Sequence, residues 1–441
     1  MVSIYYKYQR VKKLFALSCI LFCYLVSIAQ KPVPVKPRIL ISTDIGGTDP
    51  DDNQSMIHFL MYSNQFNTEG LVSSPSYGRG TKQSLLDMIA LYEKDLPKLK
   101  THSEGFPEPD ALRSICKQGK KGAAPFAGYS KPTEGSDWIV KCAHKKSSQP
   151  LWVLVWGGLE DVAQALHDAP DIRKKIKVYW IGGPNKKWST NSYAYIVANF
   201  ADLWFIEVNS SYYGFFSNKG MPDSVNTSNY YEKYMAGAGY MGPDFKNYYG
   251  GNVKMGDTPS LLYMMDGDPN DPTKESWGGS FEKFDHSPRL IFNRNTSLTD
   301  TVTVCSLLEF HIKGPRLNIP ADSVCFSLNV KAGIGEQKWA GYYAGEGDYV
   351  VRYTPKQAET ISYTITSTIP GFKEQAGQFV VDNIWPGKTR KTDYRLGRHW
   401  YTDRSAPQLY DGQIQGGITI KKWRKDVLMD WAKRWEWLKG N

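Results

Sequence analysis

The chain has 441 residues, of which 41% are hydrophobic and 22% charged, and its formal net charge is +10. This length and composition allow a large core and more than one domain, and they exclude a mainly disordered chain or one buried mainly in a membrane. The aromatic content of 14% exceeds what a core usually takes, which is a first hint of sugar binding.

The first thirty residues have the pattern of a secretory signal peptide. Four basic residues and no acidic residue precede an apolar run from Leu14 to Ala29 that ends in small residues. We expect cleavage before Gln30, so that residues 1–29 are removed, no stable membrane anchor remains and the protein is secreted or periplasmic. The alternative is an uncleaved anchor, although sixteen apolar residues are few for a membrane span. Since four positive charges belong to this segment, the net charge gives little reason to expect a nucleic-acid partner.

Four cysteines follow the predicted signal peptide: Cys116, Cys142, Cys305 and Cys325. Their spacing fits no zinc site. Cys305 and Cys325 flank a turn-rich stretch of one β-rich region and could pair in an oxidising compartment. The alternative is that all four are buried free thiols.

After a Pro-rich tether at residues 30–37, the sequence alternates between predicted strands and helices. A strand at 39–41 is followed by an acidic loop and a helix at 53–63, and a strand at 70–72 is followed by a helix at 84–92. This alternation predicts a mostly parallel, Rossmann-like α/β sheet.

The same alternation continues downstream. Buried strands are predicted at 151–156, 177–181 and 203–208, with a helix at 159–167 after the first of them. In open α/β sheets, ligands bind beside the loops that leave the carboxyl ends of the strands. We therefore expect the functional residues in these loops.

Near residue 290 the pattern changes to short β-rich runs separated by turn residues. The predicted strands are Thr301–Ile312, Val324–Val330, Asp348–Tyr353, Glu359–Ser367 and Gln378–Val381. They predict an Ig-like β-sandwich at residues 290–386, inserted into an α/β domain that spans residues 38–289. Residues 387–441 then form a return segment whose final helix, with Trp residues at helical spacing, packs back on the α/β body.

The loop between the first strand and the first helix is unusually acidic, with Asp44, Asp49, Asp51 and Asp52. One aspartate can cap a helix, but four cannot all do so. Massed carboxylates repel each other, so either some are protonated or a cation neutralises them. Oxygen ligands without nearby His or Cys favour Ca²⁺ or Mg²⁺. The alternative is a solvated acidic loop.

This loop resembles that of the nucleoside hydrolase superfamily, and most closely that of its secreted branch, described as nucleoside-hydrolase-like domains of cellulose-binding proteins. The resemblance covers roughly residues 37–288 and the final helix, and its fold is the α/β sheet predicted above. The segments that carry it are Thr43–Gly46, Pro50–Asp52, Trp156–Leu159, Ile181–Trp188, Gly256–Ser260 and Trp277–Gly279.

The resemblance implies a calcium ion held by the side chains of Asp44, Asp52 and Asp257 and by the main-chain carbonyl of Trp156. It also implies that Asp44 is the base that takes a proton from water and that Asp51 faces the sugar hydroxyls. Such a site can deliver hydroxide to an anomeric carbon through an oxocarbenium-like transition state.

Two residues depart from the pattern of nucleoside hydrolases. Ser42 stands where these enzymes have their first Asp, and Gly256 stands where many have a His that protonates the leaving base. Departure of a purine or pyrimidine is therefore less expected than departure of a sugar. His102 is a candidate replacement acid if residues 99–101 form a strand that leads into the pocket, and otherwise a structural residue near a turn.

Further candidates for substrate binding follow the predicted strands. They are Tyr77, Arg79, Asn185, Trp188, Asn191 and Asn209. The alternative for the asparagines is turn formation.

Together these features predict a secreted, calcium-dependent glycoside hydrolase that cleaves an O- or N-glycosidic bond in a carbohydrate. One alternative is a carbohydrate-binding protein, for a cellulose-like polysaccharide, with a weakened catalytic site. Another is a nucleoside hydrolase. The expected partner is a carbohydrate or a nucleoside-like small molecule, and the oligomeric state stays open.

Overall fold

The computed structural model describes residues 35–216, 227–333 and 335–439. The predicted signal peptide and most of the predicted tether lie outside these residues. Within them, no helix is both long and apolar enough to cross a membrane. The chain from Pro37 onward forms one compact unit.

The strands and helices are named here in chain order. The strands are β1 (Arg38–Thr43), β2 (Asn67–Ser73), β3 (Cys116–Gln118), β4 (Leu151–Val155), β5 (Ile176–Ile181), β6 (Trp204–Val208), β7 (Phe281–Lys283), β8 (His286–Ser287), β9 (Arg289–Phe292), β10 (Thr301–Thr303), β11 (Leu307–Lys313), β12 (Val324–Ala332), β13 (Gly335–Gly345), β14 (Asp348–Tyr353), β15 (Thr360–Thr366), β16 (Gln375–Asp382), β17 (Tyr394–Arg395) and β18 (Trp400–Asp403). The helices are α1 (Asp51–Tyr62), α2 (Lys82–His102), α3 (Pro109–Ser114), α4 (Glu134–His144), α5 (Glu160–Asp168), α6 (Gly183–Trp188), α7 (Thr190–Asn199), α8 (Thr227–Tyr230), α9 (Met241–Phe245), α10 (Thr258–Asp266), α11 (Ile418–Lys421) and α12 (Arg424–Leu438).

The α/β body is built on a sheet whose described strands have the order β3-β2-β1-β4-β5-β6-β18-β7. All neighbouring strands are parallel except β18 and β7. The predicted mostly parallel sheet is therefore confirmed. The strand order reverses between β1 and β4, which is where open α/β sheets bind ligands.

Both faces of this sheet are covered, which explains why β1, β4 and β5 are nearly continuous apolar runs. Ile41 and Leu154 belong to a core shared with α1, α2, α10 and α12 on one face. Leu40 and Val155 belong to a core shared with α4, α5 and α7 on the other face. This second core continues into the β-rich region, through residues such as Phe310.

The β-rich region has a single hydrogen-bonded sheet in the order β10-β16-β15-β12-β13-β14-β11-β9. Strands that are not neighbours nevertheless face each other, because the rings of Phe310 in β11 and Tyr363 in β15 are 5.0 Å apart. The sheet is therefore folded over on itself and packs like the predicted sandwich. The boundaries predicted at residues 290 and 386 remain predictions.

Two details of the β-rich region differ from the sequence prediction. The run 301–312 is two strands, because Cys305 between them has a positive φ of 60° that breaks the extended chain. The long strand β13 was not predicted. It pairs first with β12 and then with β14, and so connects the two halves of the sheet.

After the β-rich region the chain returns to the α/β body. Strand β18 lies between β6 and β7, and α12 packs against α1 and α2. Trp431 and Trp435 are fully buried, and the Trp431 indole N–H points to the Met61 sulfur at 3.1 Å. The tryptophan pattern of the last helix is therefore packing, as expected of a helix that returns to the body.

The four described cysteines are free thiols, and no disulfide joins Cys305 to Cys325. Cys116, Cys142 and Cys305 are buried, and Cys325 is half-buried. The structure therefore agrees with the alternative of free thiols and not with a Cys305–Cys325 disulfide.

Candidate functional site

A cavity of about 310 Å³ lies at the carboxyl ends of β1, β4, β5 and β6. We call it the acidic cavity because five aspartates line it: Asp44, Asp49, Asp51, Asp52 and Asp257. The predicted residues Tyr77, Trp156, Asn185 and Trp188 line it as well. The sheet edge therefore brings together residues that are more than two hundred positions apart in the sequence.

The loops after β1 and β4 touch each other at Asp44 and Gly157. A Cβ atom on Gly157 would lie 2.9 Å from the Asp44 Cβ and 3.0 Å from the Asp44 main-chain nitrogen. Glycine permits this close approach because it has no side chain. Asp44 also accepts a hydrogen bond on its carbonyl oxygen from the Gly47 N–H at 3.0 Å, which tightens its loop.

Helix α1 begins with Asp51 and Asp52, so its amino end points two carboxylates into the acidic cavity. Asp52 is only 3% exposed, and its Oδ1 accepts a hydrogen bond from the Thr43 hydroxyl. The same hydroxyl accepts a hydrogen bond from the Ile45 N–H at 3.0 Å. The last residue of β1 therefore holds both the loop and the start of α1.

Asp257 reaches the cavity from the opposite side, directly before α10. It is 3% exposed, and among the described residues its Oδ2 has no hydrogen-bond partner. The Ser260 hydroxyl donates to the Asp257 carbonyl at 2.7 Å and accepts from the Trp156 indole N–H at 2.7 Å. Trp156 and Asp257 are thus fixed relative to each other.

Asp51, Asp52 and Asp257 fit a metal ion. Each offers one carboxylate oxygen, and these oxygens lie within 4.8 Å of one another. Burial raises the pKa of all three well above its usual value, and repulsion from neighbouring aspartates raises it further. A divalent cation would neutralise these carboxylates and give the unpartnered buried oxygen a partner. The donor set consists of oxygen atoms alone, which suits a hard cation.

The ligand set differs in one respect from the one that the resemblance implies, because the structure groups Asp51, and not Asp44, with Asp52 and Asp257. Asp44 lies beside this group and shares a hydrogen bond with Asp52. Burial raises the pKa of Asp44 to about 6, and the hydrogen bond with Asp52 opposes that rise. Asp44 is thus adjacent to the group of carboxylates that could hold a metal ion.

Asn185 connects the loop after β5 to the predicted carbonyl ligand. Its amide nitrogen donates to the carbonyl oxygens of Trp156, at 2.9 Å, and of Ile181, at 3.0 Å. No described residue donates a hydrogen bond to the Asn185 Oδ1. Asn185 therefore orients the Trp156 carbonyl while it presents an acceptor at the cavity wall.

Two aromatic rings, Tyr77 and Trp188, line the acidic cavity, and Trp339 stacks against Trp188; we call these three rings the aromatic platform. The rings of Tyr77 and Trp188 are 4.0 Å apart and 9° from parallel, and those of Trp188 and Trp339 are 5.2 Å apart and 11° from parallel. Tyr77 is 48% exposed, so part of its ring remains available to a ligand. Flat rings beside a polar pocket suit the apolar face of a sugar.

Several lining residues were not predicted from the sequence. Tyr212 and Tyr213 follow β6 in a short 3₁₀ segment, Ser211–Phe215, and Lys254 pairs with Asp49 at 2.5 Å. The position of the two tyrosines after a strand of the parallel sheet indicates a place at the ligand-binding edge, but the residue predicted from that loop is Asn209. Gln337 and Lys356 come from the β-rich region, and no local pattern indicated that this region reaches the cavity.

Two predicted site residues lie away from the cavity. The strand at residues 99–101 that a role of His102 as an acid would require is not present, because these residues form the last turn of α2, which ends at His102. The His102 ring stacks on Trp437 of α12 at 5.3 Å and does not line the acidic cavity. Arg79 is exposed and does not line it either.

Two predicted asparagines instead brace the fold. The Asn191 amide donates to the Ala124 carbonyl at 3.1 Å. The Asn209 amide donates to Glu207 at 2.8 Å, and its Oδ1 accepts from the Gly183 N–H at 3.2 Å. Neither lines the acidic cavity, so their side-chain bonds stabilise loops of the sheet edge.

The fold and this cavity define a nucleoside-hydrolase-like α/β protein that carries an additional β-rich domain. Residues 38–281 match the family described as cellulose-binding Sde182, nucleoside hydrolase-like domain, and the chain belongs to this family. Residues 302–368 match a domain of unknown function, DUF5060. No curated protein matches the chain.

Solved structures with a similar fold include a nucleoside hydrolase-related protein from Saccharophagus degradans that is associated with carbohydrate metabolism. It is 19% identical, with 79% of this chain and 100% of that chain covered and a TM-score of 0.47. An inosine-uridine preferring nucleoside hydrolase from Bacillus anthracis is 14% identical, with 57% and 86% covered and a TM-score of 0.35. A purine-preferring ribonucleoside hydrolase from Gardnerella vaginalis is 13% identical, with 56% and 84% covered and a TM-score of 0.32. Similarity at this level concerns the fold alone.

Proposed function

We propose that this chain is a secreted, calcium-dependent glycoside hydrolase that acts on a carbohydrate. The observation that carries the proposal is that the half-buried Asp51 and the buried Asp52 and Asp257 meet an aromatic platform in one cavity. The carboxylates suit a cation, and the rings suit a sugar. Membership of a family described as cellulose-binding supports a carbohydrate ligand.

Calcium is the cation that we propose for the Asp51, Asp52 and Asp257 carboxylates. The donors are carboxylate oxygens and a main-chain carbonyl, without a nitrogen or sulfur donor that would favour zinc. When bound, a calcium ion would supply positive charge that favours ionisation of water and holds sugar hydroxyls.

The residues of this chain would have separate roles in proton transfer and in binding the sugar. Asp44 lines the cavity beside Asp52 and would accept the proton of the attacking water. Asp51 and the Asn185 Oδ1 would orient the sugar hydroxyls. Tyr77 would hold the sugar ring by stacking on its exposed side, and Trp188 would support the Tyr77 ring from the other side. These roles would aim the water at the anomeric carbon.

One observation favours an alternative, a carbohydrate-binding protein with little catalytic activity. Gly256 offers no proton donor to a leaving group, and a Cβ atom at this position would lie 2.4 Å from the Asp51 Oδ2. The space into which a side chain at position 256 would project is therefore taken by Asp51. Without a donor there, a leaving group that needs protonation would depart slowly. The same observation argues against a nucleoside hydrolase.

One set of measurements separates these functions. Metal content is determined first, and then binding and turnover of a glycan panel and of inosine and uridine are measured for the wild type and Asp44→Asn. Cleavage of a glycan that is lost in Asp44→Asn supports the proposal. Glycan binding without a product supports the binding protein, and ribose release supports the nucleoside hydrolase. Absence of both calcium and any glycan binding would overturn the proposal.

A further inference from the structure

A second cavity of about 450 Å³ adjoins the acidic cavity, and we call it the junction cavity. Its wall includes Ser210 of the α/β body, Gln357 and Trp385 of the β-rich region, and Gln415 of the return segment. Tyr213 and Lys356 line both cavities. The two cavities therefore share a wall and together offer space for more than one sugar residue.

Lys356 stands at this shared wall without a neutralising partner. It follows β14 in a loop of the β-rich region, and it makes no hydrogen bond or ion pair with the residues that the structure describes. Lys254, on the α/β side of the acidic cavity, is different, because it pairs with Asp49 at 2.5 Å and donates to the Tyr249 hydroxyl at 3.0 Å. Of these two lysines, one is thus already neutralised and the other is not.

A second ammonium group lies behind Lys356. Lys187 of α6 is 3% exposed, donates to the side-chain oxygen of Gln337 and lies 5.0 Å from the centre of the Trp188 ring. No described carboxylate comes within 4.0 Å of it. Glu359 is near enough to attract it, but the Glu359 carboxylate is bonded to the Gly333 N–H at 2.7 Å.

The two lysines repel each other. Burial and, second to it, the charge of Lys356 lower the pKa of Lys187 to about 8. The wall of the acidic cavity therefore combines five aspartates with the unpaired ammonium group of Lys356, and the buried Lys187 lies near Lys356 outside the lining. Just as buried carboxylates favour a bound cation, unpaired ammonium groups beside a cavity favour a bound anion.

We propose that the two cavities form one cleft for an oligosaccharide with an anionic sugar residue, whose acidic group contacts Lys356 between the cavities. This inference rests on the proposed function of the acidic cavity and specifies its substrate class. The acidic group is a carboxylate, as in a uronic acid, or a sulfate, because both accept hydrogen bonds from an ammonium group. The β-rich region thereby contributes a specificity residue to the site.

The test uses calorimetric titration of the full protein in the presence of calcium. Three oligosaccharides of equal length are compared: a neutral one, one that contains uronic acid and one that is sulfated. We expect the wild type to bind at least one anionic oligosaccharide roughly tenfold more tightly than the neutral one, and less so at high salt. The tighter of the two anionic ligands identifies the acidic group.

The variants Lys356→Met and Lys338→Met complete the test. Lys338 is an exposed lysine of β13 that does not line either cavity. We expect Lys356→Met to lose most of the preference for the anionic ligand while it still binds the neutral one, and Lys338→Met to retain the preference. Equal binding of neutral and anionic ligands by the wild type, or an unchanged preference in Lys356→Met, would overturn this inference and leave the proposed function standing. Failure to bind any oligosaccharide would overturn both.

Discussion

Gly256 lies so close to Asp51 that a Cβ atom on the glycine would be 2.4 Å from the Asp51 Oδ2. Glycine at position 256 therefore leaves the space that the Asp51 carboxylate occupies between the loop before α10 and the amino end of α1. The absence of a proton donor at position 256 and the position of the Asp51 carboxylate are consequences of the same close packing. This contact makes the arrangement of the Asp51, Asp52 and Asp257 carboxylates sensitive to a single methyl group.

We predict that Gly256→Ala weakens calcium binding by about tenfold or more, because the methyl group displaces the Asp51 carboxylate from Asp52 and Asp257. Calcium titration by calorimetry measures the effect. Gly333→Ala is the control, since a Cβ atom there would come no closer than 3.3 Å to another atom. Unchanged calcium affinity in Gly256→Ala would show that Asp51 does not hold the ion.

We predict that Asp52→Asn abolishes calcium binding, whereas Asp49→Asn reduces it only slightly. Asp52 is buried beside Asp51 and Asp257, whereas the Asp49 side chain is 55% exposed and paired with Lys254. Removal of an exposed ion pair typically changes energies by less than about 1 kcal/mol. Metal content after dialysis checks both variants. Equal loss of metal would show that Asp49 is also a ligand.

We predict that Tyr77→Ala lowers the affinity for a glycan about five- to tenfold, because it removes the outermost ring of the aromatic platform. Tyr240→Ala is the matched control, since Tyr240 is 55% exposed and lies outside both cavities. Affinity electrophoresis or calorimetry with the same glycan measures the difference. If both variants bind equally well, the platform does not contact the ligand.

We predict that Arg434→Met lowers the free energy of unfolding by about 2–3 kcal/mol. The Arg434 guanidinium donates to the Met61 carbonyl at 2.5 Å and lies 3.9 Å from the centre of the Tyr62 ring, so it connects α12 to the end of α1. Urea unfolding measures the loss. Lys433→Met, which changes a neighbouring side chain that is 75% exposed, should unfold like the wild type.

We predict that Glu160 makes the stability of the protein depend on pH. Burial raises the pKa of Glu160 to about 8, and hydrogen bonds to its carboxylate oppose that rise only in part. The folded state therefore keeps a proton that the unfolded state has already lost, so the free energy of unfolding falls as pH rises from about 4.5 toward 8. Glu160→Gln removes this contribution, which cannot exceed about 1.4 kcal/mol per pH unit.

Urea unfolding of the wild type and Glu160→Gln at about pH 5, 7 and 9 tests this prediction. The glutamine variant should gain stability relative to the wild type between the first two pH values. A constant difference across the series would mean that Glu160 is ionised in the folded state at all three pH values, as it is in the unfolded chain.

The acidic loop could be predicted because its carboxylates lie close together in the sequence, directly after an apolar strand. Asp44, Asp51 and Asp52 need no tertiary information to be recognised as a group. Asp257 was assigned only through the family resemblance, since it is more than two hundred residues away. Gln337 and Lys356 could not be predicted, because the docking of the β-rich region depends on surfaces that have no local sequence pattern.

The error at His102 has a different cause. Helix α2 was predicted to end at Tyr92, but it continues through Pro97 to His102. Leu96 and Leu99 in this extension are buried in the core. Their packing outweighs the loss of one main-chain hydrogen bond at the proline. These tertiary contacts extend the helix, so His102 lies at its end and away from the sheet edge.

The position of β18 has a practical consequence for work with fragments. Because this strand pairs with β6, a fragment that ends at residue 281, where the family match ends, would leave the main-chain groups of β6 unpaired. An exposed edge of this kind is a template for pairing between molecules. Such a fragment should precipitate or self-associate, even though it contains all five aspartates of the cavity.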